Sequence, residues 1–151
     1  MIKQKKHKEQ YAFLKKEYDA VYKDIMLKGY DSSGPYTKKL EDRVKKITGR
    51  KYVWSTISGT SAIFAAIYAL DLFGKRVAVS GYNYEACVSP FATLCKPVYF
   101  DCDENMLIDI DKIPKNCEAM ILVNYNGNVV DYDKVRKKFK GKIIADCSQS
   151  T

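Results

Sequence analysis

No run of apolar residues in this 151-residue sequence is long enough to cross a bilayer. The longest apolar stretch, Ala62 to Leu72, already includes Asp71 and falls well short of the roughly 20 residues that a helical span needs. The start, Met1-Ile-Lys-Gln-Lys-Lys-His-Lys, is basic but has no apolar region of the kind a signal peptide carries. A cytoplasmic location is therefore expected, with no membrane partner. The five cysteines are odd in number, and no two have the close spacing of a zinc or redox motif. Free, buried cysteines in a reducing compartment are the simple expectation. Neither Gly-x-Gly-x-x-Gly nor Gly-x-x-x-x-Gly-Lys-Ser/Thr occurs, which argues against the common nucleotide-binding domains. There is no internal repeat, and no low-complexity segment beyond the lysine-rich start.

What is present reads as one soluble globular domain. Hydrophobic residues make up 46% and charged residues 29%. The net charge of +8 is unevenly spread. Residues 1–50 hold 14 Lys and Arg against 7 Asp and Glu, a balance of +7, so the basic excess belongs to the first third. Such an arm can contact an acidic partner, but no aromatic pattern suggests base stacking. Nucleic acid is not the expected partner, and a solvated helix face accounts for the charge.

The periodicity changes along the chain. Tyr11, Leu14, Tyr18, Val21, Tyr22 and Ile25 recur at steps of three and four, which predicts an amphipathic helix over 9–28. Asp31-Ser-Ser-Gly-Pro-Tyr is a turn cluster. A second helix begins near Thr37, and Gly49 is its stop signal. Lys51-Tyr-Val-Trp-Ser is a short β-rich run. Ser58-Gly-Thr-Ser then opens an apolar helix, followed by a strand at Arg76–Ser80, a helix over Tyr84–Leu94 and a strand at Pro97–Asp101. A strand at Glu118–Asn124, a helix over Asp131–Phe139 and a strand from Lys142 complete the series. Alternating strands and helices predict an α/β fold, a mainly parallel sheet with helices on both faces. The run Met120–Val123, apolar throughout, fits a strand buried on both sides. The expected division is a basic helical arm over 1–30 and an α/β portion over 31–151.

Three places could carry chemistry. Ser58-Gly59-Thr60-Ser61 lies where a helix begins, and a helix N-terminus offers free backbone N–H groups and a positive dipole end to a phosphate. Ser and Thr also cap helices that bind nothing. Asp146 ends a buried strand, at the edge where open α/β sheets bind ligands; it could equally cap the next turn. Tyr82-Asn83-Tyr84 follows the strand ending at Ser80, where an aromatic can lie against a planar ligand or simply pack on the sheet edge.

The order of these pieces resembles the DegT/DnrJ/EryC1/StrS family of pyridoxal-phosphate (PLP) dependent sugar aminotransferases. The resemblance is carried by Gly34-Pro35-Tyr36, Ser58-Gly59-Thr60-Ser61-Ala62, Ser80-Gly-Tyr-Asn-Tyr84, Lys96-Pro-Val-Tyr-Phe-Asp-Cys-Asp103, Val123-Asn-Tyr-Asn-Gly127 with Asp131, and Ile144-Ala-Asp146-Cys-Ser-Gln149. It covers about residues 30–151 and implies the front part of the large domain of the aspartate-aminotransferase-type fold.

By this resemblance Gly59, Thr60 and Ser61 would hold the cofactor phosphate, and Tyr84 would stack on the ring. Asp146 would pair with the pyridine nitrogen, and Gln149 would lie near the ring hydroxyl. Ala145 stands where the family has an acidic residue. The Schiff-base lysine of the family follows the Asp-x-x-Gln segment, and no lysine of this chain occupies that place. Lys142 precedes Asp146 on its own strand and is expected to point into the sheet. The chain is accordingly expected to be the N-terminal part of an aminotransferase acting on a nucleotide-linked keto sugar with glutamate as donor, and inactive by itself. A homo-oligomer or a complementing C-terminal polypeptide is the expected partner. The alternatives are dehydration on the same scaffold, or a non-catalytic remnant that binds a partner through its basic helix.

Overall fold

The computed structural model describes residues 6–30 and 33–150. The lysine-rich first five residues, the opening Asp31-Ser32 of the turn cluster and Thr151 lie outside the described residues. The chain divides into two compact units, one up to Ser55 and one from Thr56.

The first unit holds two helices, α1 (His7–Lys28) and α2 (Pro35–Thr48). Both end on a glycine in the left-handed region, Gly29 at φ 63 and Gly49 at φ 67, conformations that a side chain would oppose. Pro35 sits in the first turn of α2, where its missing N–H costs nothing. The β-rich run at 51–55 forms no strand. Its β-favouring aromatics, Tyr52 and Trp54, are largely exposed. Such residues favour a strand only when a sheet face is there to pack on.

The second unit contains α3 (Gly59–Ala69), β1 (Arg76–Ser80), α4 (Glu85–Leu94) and β2 (Lys96–Phe100). A single 3-10 turn (Ile110–Lys112), β3 (Ala119–Val123), α5 (Tyr132–Lys138) and β4 (Lys142–Asp146) follow. The four strands form one parallel sheet in the order β2-β1-β3-β4. The α/β expectation is met, with element bounds close to those read from the sequence.

Alternation of side chains along each strand sends residues to two cores. Val77, Val79, Ala119, Ile121 and Ile144 pack with Ile63 and Ile67 of α3 and Phe91 of α4. Ala78, Met120 and Leu122 pack with Val135 of α5 and Phe139 on the opposite face. All five residues of β3 are buried, as a central parallel strand requires. Each fully buried Val, Ile, Leu or Met contributes about 1.5–3 kcal/mol.

The topology also fixes where a ligand can sit. From β1 the chain goes out to β2 on one side, then returns to β3 on the other. The strand order therefore reverses between β1 and β3, and ligands of such sheets lie beyond the carboxyl ends near that point. Ser80, Val123 and Asp146 end their strands at this edge.

Two expectations need correction. All five cysteines are free, but only Cys87 is buried; Cys95, Cys102 and Cys117 are partly exposed and Cys147 is exposed. Lys142 is exposed rather than turned into the sheet, and its amine donates to the carbonyl of Leu70.

Candidate functional site

The turn before α3 owes its shape to Ser58. Its backbone is extended, and its Oγ accepts the N–H of Ser61 at 3.1 Å. The Oγ atoms of Ser58 and Ser61 are 3.0 Å apart, and Ala62 makes the first helical bond back to Ser58 at 3.0 Å. The N–H groups of Gly59 and Thr60 precede that bond and stay outside the helical ladder. A Cβ on Gly59 would meet nothing within 4 Å. The folded chain itself thus gives no steric reason for glycine here, whereas a ligand on the turn would.

Asp146 reaches the same place from the sheet. It shares a strand face with Ile144 and therefore looks toward α3 and α4. Its Oδ2 accepts the thiol of Cys87 at 3.0 Å, and its Oδ1 accepts the N–H of Ser148 at 2.9 Å. Burial opposes ionisation of Asp146, but the hydrogen bonds from Cys87 and Ser148 outweigh it and hold the carboxyl below its ordinary value. Burial, then the bond to this carboxylate, push the Cys87 thiol up to about 12. At neutral pH the pair is therefore a carboxylate and a thiol. A cleft of about 240 Å³ is lined by Gly59, Ala62 and Ala66 of α3 and by Ala145, Asp146 and Cys147.

The turn at Gly59 and the carboxylate of Asp146 thus line one cleft, whereas Thr60, Ser61, Tyr84 and Gln149 do not line it. Thr60 and Ser61 occupy the first turn of α3 and are partly exposed. Tyr84 is the N-cap of α4 and is 65% exposed. It does not line the cleft, but its carbonyl accepts the N–H of Cys87 at 2.9 Å, one turn from the thiol that touches Asp146. Gln149 is exposed, and its Oε1 accepts the N–H of Asn126 at 2.9 Å, tying the loop after β4 to the loop after β3.

Some participants were not singled out from the sequence. Cys87 is one; no local motif signals a thiol that meets a carboxylate 59 positions away. Asn124 is another. It is buried at the end of β3, accepts the N–H of Val130 at 3.0 Å and donates to the hydroxyl of Tyr132 at 3.3 Å, so it shapes the loop at the switch point. Tyr82, which the sequence did point to, meets Tyr125 edge to face at 5.1 Å after β1 and β3.

The carboxyl edge of the sheet also holds polar atoms that a polar ligand could pair. Among the described residues, the buried side-chain atoms without a hydrogen-bond partner are Ser80 Oγ, Asn83 Nδ2 and Ser150 Oγ. All three end or follow a strand at the carboxyl edge. Buried polar atoms are seldom left unpaired, and their concentration here is what an edge built around a polar ligand shows. No cluster suited to a metal ion occurs among the described residues, and none of their helices is long and apolar enough to cross a membrane.

Comparison with known proteins adds to this geometry. The model of the DegT/DnrJ/EryC1/StrS aminotransferase family matches residues 13–151. The UDP-4-amino-4-deoxy-L-arabinose–oxoglutarate aminotransferase of Shewanella sediminis is 24% identical over 84% of this chain and 35% of its own. The crystal structure of DesV from S. venezuelae, in complex with a ketimine intermediate, superposes with a TM-score of 0.86 at 22% identity, covering 95% of this chain and 41% of that one. The structure of the NtdA protein of Bacillus subtilis with bound cofactor PMP gives 0.78 at 27% identity, over 85% of this chain and 32% of that one. The chain spans about a third of the length of the curated relatives it matches.

Proposed function

Because this chain belongs to the DegT/DnrJ/EryC1/StrS aminotransferase family, we propose that it supplies the phosphate turn and the ring-nitrogen carboxylate of a PLP-dependent sugar aminotransferase. The observation that carries the reading is that Gly59 and Asp146, far apart in sequence, line one cleft. The free amides of Gly59 and Thr60 and the hydroxyl of Ser61 bind the phosphate at the positive end of α3. By the family resemblance Tyr84 would stack on the ring, Asp146 would pair with the ring nitrogen and Gln149 would lie near the ring hydroxyl. Bound there, the cofactor supplies an electron sink whose strength depends on that nitrogen keeping its proton. Asp146 keeps the proton in place because it is itself held ionised.

The substrates in this reading are glutamate and a nucleotide-linked keto sugar, by analogy with the relative that acts with oxoglutarate. Lys142, on the same strand as Asp146, does not line the cleft. Lys142 lies at the opposite end of β4 from Asp146, with its amine on the Leu70 carbonyl. The anchoring lysine would then lie outside residues 1–151, in a continuation of the chain or in a complementing polypeptide.

The test is a PLP titration followed by absorbance, on the chain alone and with such a polypeptide. Saturable binding is expected, and Asp146→Asn weakens it by about tenfold or more, the size of a charge-assisted hydrogen bond. An unchanged spectrum in both mixtures would falsify the reading.

A further inference from the structure

Cys87 is the one buried cysteine and lies in the first turn of α4, facing the end of β4. Its thiol is 3.0 Å from Oδ2 of Asp146, while the other oxygen takes the backbone N–H of Ser148 at 2.9 Å. Each carboxylate oxygen thus has one donor from the protein, and each can accept a second. The two donors come from different elements, a helix and the turn after the strand, so the carboxylate plane is fixed by both. Cys95 offers a contrast: burial raises its thiol too, but no carboxylate acts on it.

A buried cysteine is ordinarily a small apolar filler. Here the partner is a carboxylate in a partly apolar cleft, which without a donor would drift toward its neutral form. We infer that Cys87 is a positioning residue: its S–H donates to Oδ2 of Asp146 and fixes the orientation of the acceptor that a ring nitrogen would meet. The purpose rests on the proposed function, whereas the contact itself can be tested without any cofactor. The groups acting on Asp146 are Cys87 from α4 and Ser148 from the turn after β4. Neighbouring Cys147 turns its thiol to Asn124 and Tyr132 instead.

The experiment is a carbon-detected NMR titration of the Asp146 carboxyl in the full chain, as wild type, Cys87→Val and Cys87→Ser. Valine keeps the volume and removes the donor; serine keeps a donor. Loss of the donor is expected to lower the acid dissociation constant of Asp146 about tenfold in Cys87→Val. Cys87→Ser should return most of that change, which a purely packing role would not do. A wild-type titration curve for Cys87→Val, or a shift in Cys87→Ser as large as in Cys87→Val, overturns the inference. A PLP absorbance titration of the same wild-type sample separates the two ideas. Failure to bind PLP both alone and with the lysine-bearing polypeptide, with the carboxyl coupling intact, counts against the proposed function alone.

Discussion

Gly59 is where a single residue distinguishes a helix cap from a ligand cradle. A methyl group added there meets open space, and the residue adopts an ordinary backbone conformation, since no positive φ occurs there. Gly59→Ala should therefore leave the fold intact, or stabilise it by about 0.4–1 kcal/mol through the unfolded chain. If the turn binds phosphate by close backbone approach, the same change weakens PLP binding. Urea denaturation and a PLP titration on one preparation give both numbers. Destabilisation, or unchanged binding in a stable variant, would remove the cradle. Ser58, Gly59 and Asp146 were legible in the sequence because helix caps and strand ends are local signals. Cys87 was not, because its meaning comes from a partner that only the tertiary fold brings near.

At the scale of elements, the alternation of strands and helices was readable because each strand is apolar enough to stand in the middle of a sheet. β3 is the clearest case, buried at every position. The β-rich segment at 51–55 is the complementary case: its residues favour strands, but no sheet face receives them. The 3-10 turn at Ile110–Lys112 has no periodic signal; it is set by Asp109, whose carboxylate accepts the N–H of Asp111 at 3.0 Å. Entry into β4, which carries Asp146, depends on Gly141. A Cβ there would come within 2.6 Å of both the Glu118 carbonyl oxygen and the Phe139 ring. The carbonyl belongs to the backbone just before β3, and Lys142 donates to it at 2.9 Å to begin the β3–β4 pairing. Gly141→Ala should therefore cost about 1–3 kcal/mol, in the range of overpacked sites. A lowered urea midpoint would show it. Unchanged stability would mean that the two strands can separate there without loss.

For the whole molecule, the decisive feature is how unequally burial is shared. From residue 6 to Ser55 no described residue is buried, and neither α1 nor α2 contains one. The buried core belongs to residues 63–144. The first unit is held instead by polar contacts. The Tyr36 hydroxyl donates to Asp24 at 3.0 Å, and Glu41 accepts both the N–H and the hydroxyl of Ser55, at 2.9 and 3.0 Å. Surface ion pairs such as Lys28–Asp24 add only about 0–1 kcal/mol. Phe13, Tyr22, Met26 and Leu27 of α1 are all more than 60% exposed. Most helical stability comes from a packed apolar face, and that of α1 is only partly covered, at Leu14, Val21 and Ile25, so α1 should open far more easily than the sheet. Native-state hydrogen exchange on the full chain tests this directly. Amides of Ala119–Val123 should exchange only by global unfolding, and those of α1 by local opening at least about a hundredfold faster. Equal protection of the two would show that α1 is covered in solution by a surface that leaves its aromatics out of water, such as a partner chain. That result would turn the exposed apolar side chains of α1 from a liability into a binding face.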